Sequence, residues 1–479
     1  ALDGVDKVEG PFADLKDPNT VVAHFSQGGL GLPEREYYLA TDAEKKTLRA
    51  AYEQHVTKML VLSGLPPAEA AKQAKAILVF ETALAKASRP IEAMRDVQKL
   101  HHRLDAPGLA KLTPKLPWER FFSAFGQSDL TAINVMTPEF FPALQKEIGK
   151  APLPTLKAYL RYQLLSATAG LLPDAIYQQH FDFQGRTLAG QKEPQPRWKR
   201  CITATEQAMG EAIGQLYVQE RFAGNSKELA LDMIHGIADA FAASLPALAW
   251  MDETTRQAAL VKKGTLAWKI GYPEEWRDYS KLTIQRDSLF ANAVAARGFE
   301  ASRLLAQVGK PVDRKEWGMN AQTVNASYNP LQNAFTYPAG ILQPPFFHKD
   351  FPVAMNLGAM GFVIGHELTH GFDDQGSKFD SLGSMTDWWT PASVKGFEER
   401  TACIDQQYSA YEIEPGVKVN GKLTLGENIA DNGGLKQAWD VLQSRQKERG
   451  EGPTVAGLSE DQLFFVAAAQ VWCAEATKE

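Results

Sequence analysis

Cysteine is scarce: Cys201, Cys403 and Cys473 are the only three in 479 residues, widely separated and without metal-ligand spacing. That excludes a disulfide scaffold and a thiolate metal cluster, and the odd number leaves room for at most one internal disulfide. No stretch approaches the roughly 18 consecutive apolar residues of a membrane-spanning helix, so no span is expected. Basic charge is also thin. The formal net charge is −6 and the largest basic group is Arg197-Trp198-Lys199-Arg200, which reads as a solvated or salt-bridged turn and argues against nucleic acid as a partner. No internal repeat or low-complexity tract appears. Ala1-Leu2-Asp3-Gly4 has the character of neither a signal nor a transit peptide, so the protein is expected to be cytosolic or to be given without its leader. The chain does have 44 % hydrophobic residues and a length that suggests two domains or more.

Histidine is sparse as well, nine residues in all, yet two of them fall four apart in His366-Glu367-Leu368-Thr369-His370. On a helix, positions i and i+4 share a face, so both imidazoles can reach one metal ion. Glu367 points about 100° away, near enough to a metal-bound water to act as general base without being a ligand. Catalytic zinc takes three protein ligands and leaves a fourth position open, so one more donor is needed. Glu427, which opens Glu427-Asn428-Ile429-Ala430-Asp431, is the candidate. Asp431, one helical turn on, is placed to accept the outward N–H of one liganding histidine, and Asp373 that of the other. The apolar, small-residue run from Val353 to Gly365 reads as a buried helix entering the first motif, with Gly371 as its stop. Polar groups along such a helix would be costly unless a cation gathered them.

Most of the remaining pattern is helical. Leu231, Ile234, Ala238, Phe241 and Leu245 form a stripe ending at Pro246, and residues 67–87 and 154–170 show the same period. Residues 171–198, with Pro194 and Pro196, read as a loop. Strands are expected at Thr323 to Tyr328 and at Thr336-Tyr337, and a hairpin around Asn420-Gly421 spanning 417–425 should feed the Glu427 helix. Gly433-Gly434 should interrupt that helix before its pattern resumes at Leu435. Gln343-Pro344-Pro345-Phe346-Phe347 reads as a stiff apolar loop that packs as a wall.

Four segments, VNASY at 324–328, NAFTYPAGILQPPFF at 333–347, VIGHELTHGFDDQG at 363–376 and VNGKLTLGENIADNGG at 419–434, closely resemble the neprilysin and endothelin-converting-enzyme family. The resemblance extends more weakly through QGGLGLPEREYYL at 27–39 and GQKEPQPRWKRC at 190–201, so nearly the whole chain looks like part of a bacterial member. It implies a mainly α, two-domain metallopeptidase: a thermolysin-like catalytic domain carrying a small β-sheet, and a helical clamp domain enclosing a cavity that admits only short peptides. By analogy, residues 1–75 and 130–285 would form the clamp, and 76–129 and 286–479 the catalytic domain. One zinc per chain would be held by His366, His370 and Glu427. Glu367 would be the base and Asp431 a supporting or proton-donating group, with cleavage on the amino side of hydrophobic residues. Asn325-Ala326 would hold the substrate backbone beside an edge strand. Ser327 stands where relatives commonly carry an aromatic, which should alter side-chain preference and spare main-chain hydrogen bonds.

The resemblance also implies a periplasmic or extracellular location. Relatives are longer at both ends and carry, beyond the stretch matching Gln470-Val471-Trp472, a tail with a histidine and an arginine that act on the intermediate and the substrate. Neither is assignable in a chain given to Glu479. A catalytically weak, zinc-stabilised peptide-binding protein is therefore the alternative function. A thermolysin-like protease outside the family shares both zinc motifs but leaves PAGILQPPFF unexplained.

Overall fold

The computed structural model describes residues 11–124, 126, 132–222, 226–450, 452 and 454–473. Helices dominate, with three small sheets among the described residues. Ala43–Leu62 starts where the Asp42 carboxylate accepts the Lys45 amide, and Pro67–Ala87 starts on a proline whose missing N–H costs nothing there. Their apolar residues recur at helical spacing, so Tyr52, Val56, Met59 and Leu60 meet Ala70, Ala74 and Ile77 in one core with Tyr162 of Leu153–Thr168. A second core lies on the four-stranded sheet. There Val21–Phe25 pairs in parallel with Ile133–Val135, and Phe12–Ala13 and Arg103–Leu104 form the edges.

The first of these cores encloses a carboxyl group. Glu81 accepts the Tyr38 hydroxyl (2.8 Å) and the Tyr52 hydroxyl (2.8 and 3.0 Å) and is 0 % exposed. Burial, opposed by the two hydroxyls, raises its pKa from the ordinary 4.5 to about 7. Between those values the native state keeps a proton that the unfolded chain has released. Its contribution to stability is therefore complete below the lower pKa and is lost as pH rises through the upper, by on the order of 3 kcal/mol. Denaturant titrations at pH 5 and pH 8 should show this loss in the wild type and a flatter dependence in Glu81→Gln. Equal pH slopes in the two proteins would remove Glu81 from the account.

The largest core lies around the two motifs. Ser226–Ser244 contributes Ile234, Ile237 and Phe241, Phe362–His370 contributes Val363, Ile364 and Leu368, and Leu425–Arg449 contributes Ala438, Val441 and Leu442. A three-stranded sheet covers it, with Ala334–Pro338 in the middle, Ala267–Gly271 parallel on one side and Ser327–Asn329 antiparallel at the other edge. Pro67–Ala87 is one helix across residue 75, giving Ala70, Ala74 and Ile77 to the first core and Phe80 and Leu84 to the second, and Ser226–Ser244 packs under the active helix.

Other local expectations need correction. The hairpin is formed earlier, by Glu412–Glu414 and Val417–Lys418 around Pro415-Gly416. Asn420 instead turns the chain into the helix, its side chain accepting the Leu423 amide. Residues 171–198 are largely helical, with Asp174–Phe181 running on into a wider π turn at Asp182–Leu188. Leu425–Arg449 passes through Gly433-Gly434 without a break. Those glycines are spent on proximity, since a Cβ on Gly434 would sit 2.4 Å from the His366 amide nitrogen and one on Gly365 2.8 Å from the Gly434 Cα. Only bare backbone lets the two motif helices approach this closely.

Candidate active site

The helix carrying the first motif is entered through Val353–Asn356 and a π turn, Leu357–Gly361, all buried or nearly so, and ends at His370. Its last turns lie against the first turns of Leu425–Arg449. The structure brings together all of the residues singled out from the sequence. His366 Nε2 and His370 Nε2 lie 3.0 Å apart, and each is 3.4 Å from Glu427 Oε2. On the far sides of the rings, His366 Nδ1 meets Asp431 Oδ1 at 2.8 Å and His370 Nδ1 meets Asp373 Oδ2 at 2.7 Å. Asp373 is itself held by the amides of Gln375 (2.8 Å) and Gly376 (2.6 Å) on its other oxygen.

This arrangement fits a metal ion. Carboxylates on both Nδ1 atoms fix the imidazole tautomers so that both Nε2 lone pairs face inward with the Glu427 oxygen. Three acceptors turned toward one point repel unless a cation or protons lie between them. Zinc ligands about 2.0–2.1 Å from a tetrahedral centre lie about 3.3–3.4 Å from each other, close to the spacing found. Burial would lower the His366 pKa, but hydrogen bonds it donates to the Asp431 and Glu427 carboxylates raise it to about 9. His370 is likewise pushed by burial one way and by Asp373 and Glu427 further the other, to about 10. The two imidazoles hold the Glu427 carboxyl well below its usual range. Metal and protons compete for the same lone pairs.

Glu367 is 7 % exposed, and burial raises its pKa while the two histidines pull it down. It lines a cavity of about 550 Å³ together with His366, His370, Glu427, Asn325 and Ala326. Asn325 and Ala326 immediately precede the edge strand Ser327–Asn329. Phe346, from the proline-stiffened loop, also lines the cavity, whereas Phe347 is buried in the core as wall packing. Two neighbours carried no usable signal in sequence spacing. Arg95 comes from a 3₁₀ turn far along the chain, yet its Nη2 donates to Asp374 at 3.0 Å and it lines the same cavity. Lys262, buried on the core face of its helix with Thr255 and Ala259, supports the loop after His370. Cys201, Cys403 and Cys473 are all exposed and unpaired. No helix of the described residues is long and apolar enough to cross a membrane.

Comparison with known proteins agrees with this geometry. The N-terminal sequence profile of Peptidase family M13 matches residues 7–273 and the family's second profile matches residues 325–479. The endothelin-converting enzyme homolog of Locusta migratoria is 38 % identical over 487 aligned positions, covering 97 % of this chain and 66 % of that protein. Human endothelin-converting enzyme 1 is 38 % identical, covering 98 % of this chain and 62 % of that protein. The chain thus spans somewhat under two thirds of the length of these relatives. The inhibitor complex of the Mycobacterium tuberculosis zinc metalloprotease ZMP1 superposes with a TM-score of 0.93 at 37 % identity, over 98 % of this chain and 72 % of that one. PepO from Lactobacillus rhamnosis follows at 0.89 and 29 % identity, over the same shares of 98 % and 72 %. With both profiles matched, the chain belongs to Peptidase family M13, the family of the neprilysin and endothelin-converting-enzyme type that its motifs resemble.

Proposed function

We propose that this chain is a zinc-dependent endopeptidase that hydrolyses short peptides on the amino side of hydrophobic residues, with one zinc held by His366, His370 and Glu427. The observation that carries the reading is the convergence of the two Nε2 atoms and the Glu427 carboxylate, each imidazole backed by its own carboxylate. Zinc bound there would supply a water of pKa near 7 and polarisation of the scissile carbonyl. Glu367 takes a proton from the attacking water and delivers it to the leaving nitrogen, so no covalent intermediate forms. Asp431 and Asp373 keep the two imidazoles turned inward, and Asp431 would also support the reacting groups or donate a proton to them.

Substrate backbone would lie along the free edge of Ser327–Asn329, with the Asn325 side chain and the Ala326 backbone pairing with its amide groups. Val324, Ile341, Phe346, Val363 and Trp472 give the cavity an apolar side, which supports a hydrophobic residue after the scissile bond. Family membership supports a periplasmic or extracellular location. We also propose residues 1–75 and 130–285 as the clamp and residues 76–129 and 286–479 as the catalytic part.

The test is a paired assay: zinc by elemental analysis, and cleavage of a quenched peptide with a hydrophobic residue after the scissile bond. One zinc per chain with chelator-sensitive multiple turnover is the expected outcome. Zinc-dependent peptide binding without turnover would favour the peptide-binding alternative.

A further inference from the structure

Lys262, on the helix Glu253–Gly264, is 0 % exposed. Its Nζ donates to the backbone oxygens of Gly371 (2.6 Å), Gly376 (2.8 Å) and Phe379 (2.6 Å), which uses all three ammonium protons. The rings of Phe372, Trp388 and Tyr328 surround it, with centroids 5.3, 5.4 and 5.8 Å away. Burial lowers its pKa to about 7 against the pull of Asp373 and Asp380. Its hydrogen-bond partners are carbonyls, so no directly bonded carboxylate offsets the cost of its desolvation. A methionine would fill the same space without that cost, so the charge must be accounted for by what it organises.

All three carbonyls belong to residues 371–379, the segment that leaves His370 and carries Asp373. The path from Lys262 to the site is short. The ammonium holds the Gly376 carbonyl, the Gly376 amide donates to Asp373 Oδ1 at 2.6 Å, and Asp373 Oδ2 meets His370 Nδ1 at 2.7 Å. The Lys262 backbone oxygen accepts from Asn333 Nδ2 at 3.0 Å, and Asn333 Oδ1 accepts the hydroxyl of Tyr328 on the substrate-side edge strand at 2.9 Å. A single residue thus links the loop behind one candidate ligand to the strand across the cavity.

We infer that Lys262 is a positioning residue of the metal site: its ammonium is an internal cation that shapes residues 371–379 so that Asp373 meets the His370 imidazole. The inference rests on the zinc reading of His366, His370 and Glu427. Its test is a double-mutant cycle on zinc affinity, measured by chelator competition for the wild type, K262M, D373N and the double variant. Removing a group that orients a ligand typically weakens metal binding about 10- to 100-fold, and that is the loss expected for K262M. The double variant should scarcely exceed the worse single one, because both changes break one path. Hydrogen exchange at the Gln375 and Gly376 amides should quicken in K262M, and K262Q, which keeps two N–H donors, should fall between.

Zinc affinity of K262M within about twofold of wild type, or additive losses in the cycle, would overturn the assignment. So would failure of both K262M and K262Q to fold, which would make Lys262 a residue of the core alone. A wild type that takes up no zinc would refute the zinc reading itself, and zinc bound equally by wild type and K262M would refute only the role of Lys262.

Discussion

Glu367→Gln should leave zinc content and fold intact and lower kcat about 10²- to 10⁴-fold, the usual worth of a positioned general base. The substitution keeps the volume of a side chain that is 7 % exposed in a close-packed helix, so packing is not disturbed. It removes only the ability to accept a proton. Burial raises the Glu367 pKa above the ordinary carboxylate value against the pull of His366 and His370, the direction expected of a carboxylate that must take a proton and give it back. Gln does neither. Because Glu367 is not among the converging donors, KM for the quenched peptide and the zinc stoichiometry should stay near wild-type values. A thousandfold loss corresponds to about 4 kcal/mol in the barrier. Activity within tenfold of wild type would mean that another group handles the proton and that Glu367 is a packed neighbour.

What could be read without coordinates was the chemistry that depends on local spacing. Four-residue separations on helices placed His366 beside His370 and Glu427 beside Asp431, whereas Asp373 meets His370 from the turn just past the helix end and Asp431 meets His366 across two helices. Periodicity likewise identified Pro67–Ala87 and the buried approach to the active helix. The errors came where one local signal had two physical meanings. Asn420-Gly421 is a strong turn signal, but the turn it makes starts a helix rather than joining two strands. Gly433-Gly434 lowers helix propensity, yet the close approach of Gly365 and Gly434 brings packing that outweighs that cost. Arg95 and Lys262 were illegible for a different reason, since their partners lie 279 and 109 or more residues away. No pattern within a helix reports such contacts.

Glu427→Ala should cost more than the loss of any group that merely orients a ligand, because it removes one of the three converging donors. Zinc affinity is expected to fall by more than about 100-fold, beyond the range seen when only an orienting partner is lost. The fold should survive. The Glu427 side chain is half exposed, and the helix that carries it is anchored by Ala438, Val441 and Leu442 far from the substitution. Thermal melts provide the check that activity alone cannot. Zinc at 100 times its dissociation constant should stabilise the wild type by about 2.7 kcal/mol, and the same concentration should leave Glu427→Ala nearly unshifted. The apo proteins should differ little, since an Ala at this half-exposed position loses only the attraction between one carboxylate and two imidazoles. A zinc-induced stabilisation equal to that of the wild type would mean that the ion is held by His366 and His370 with a different third donor.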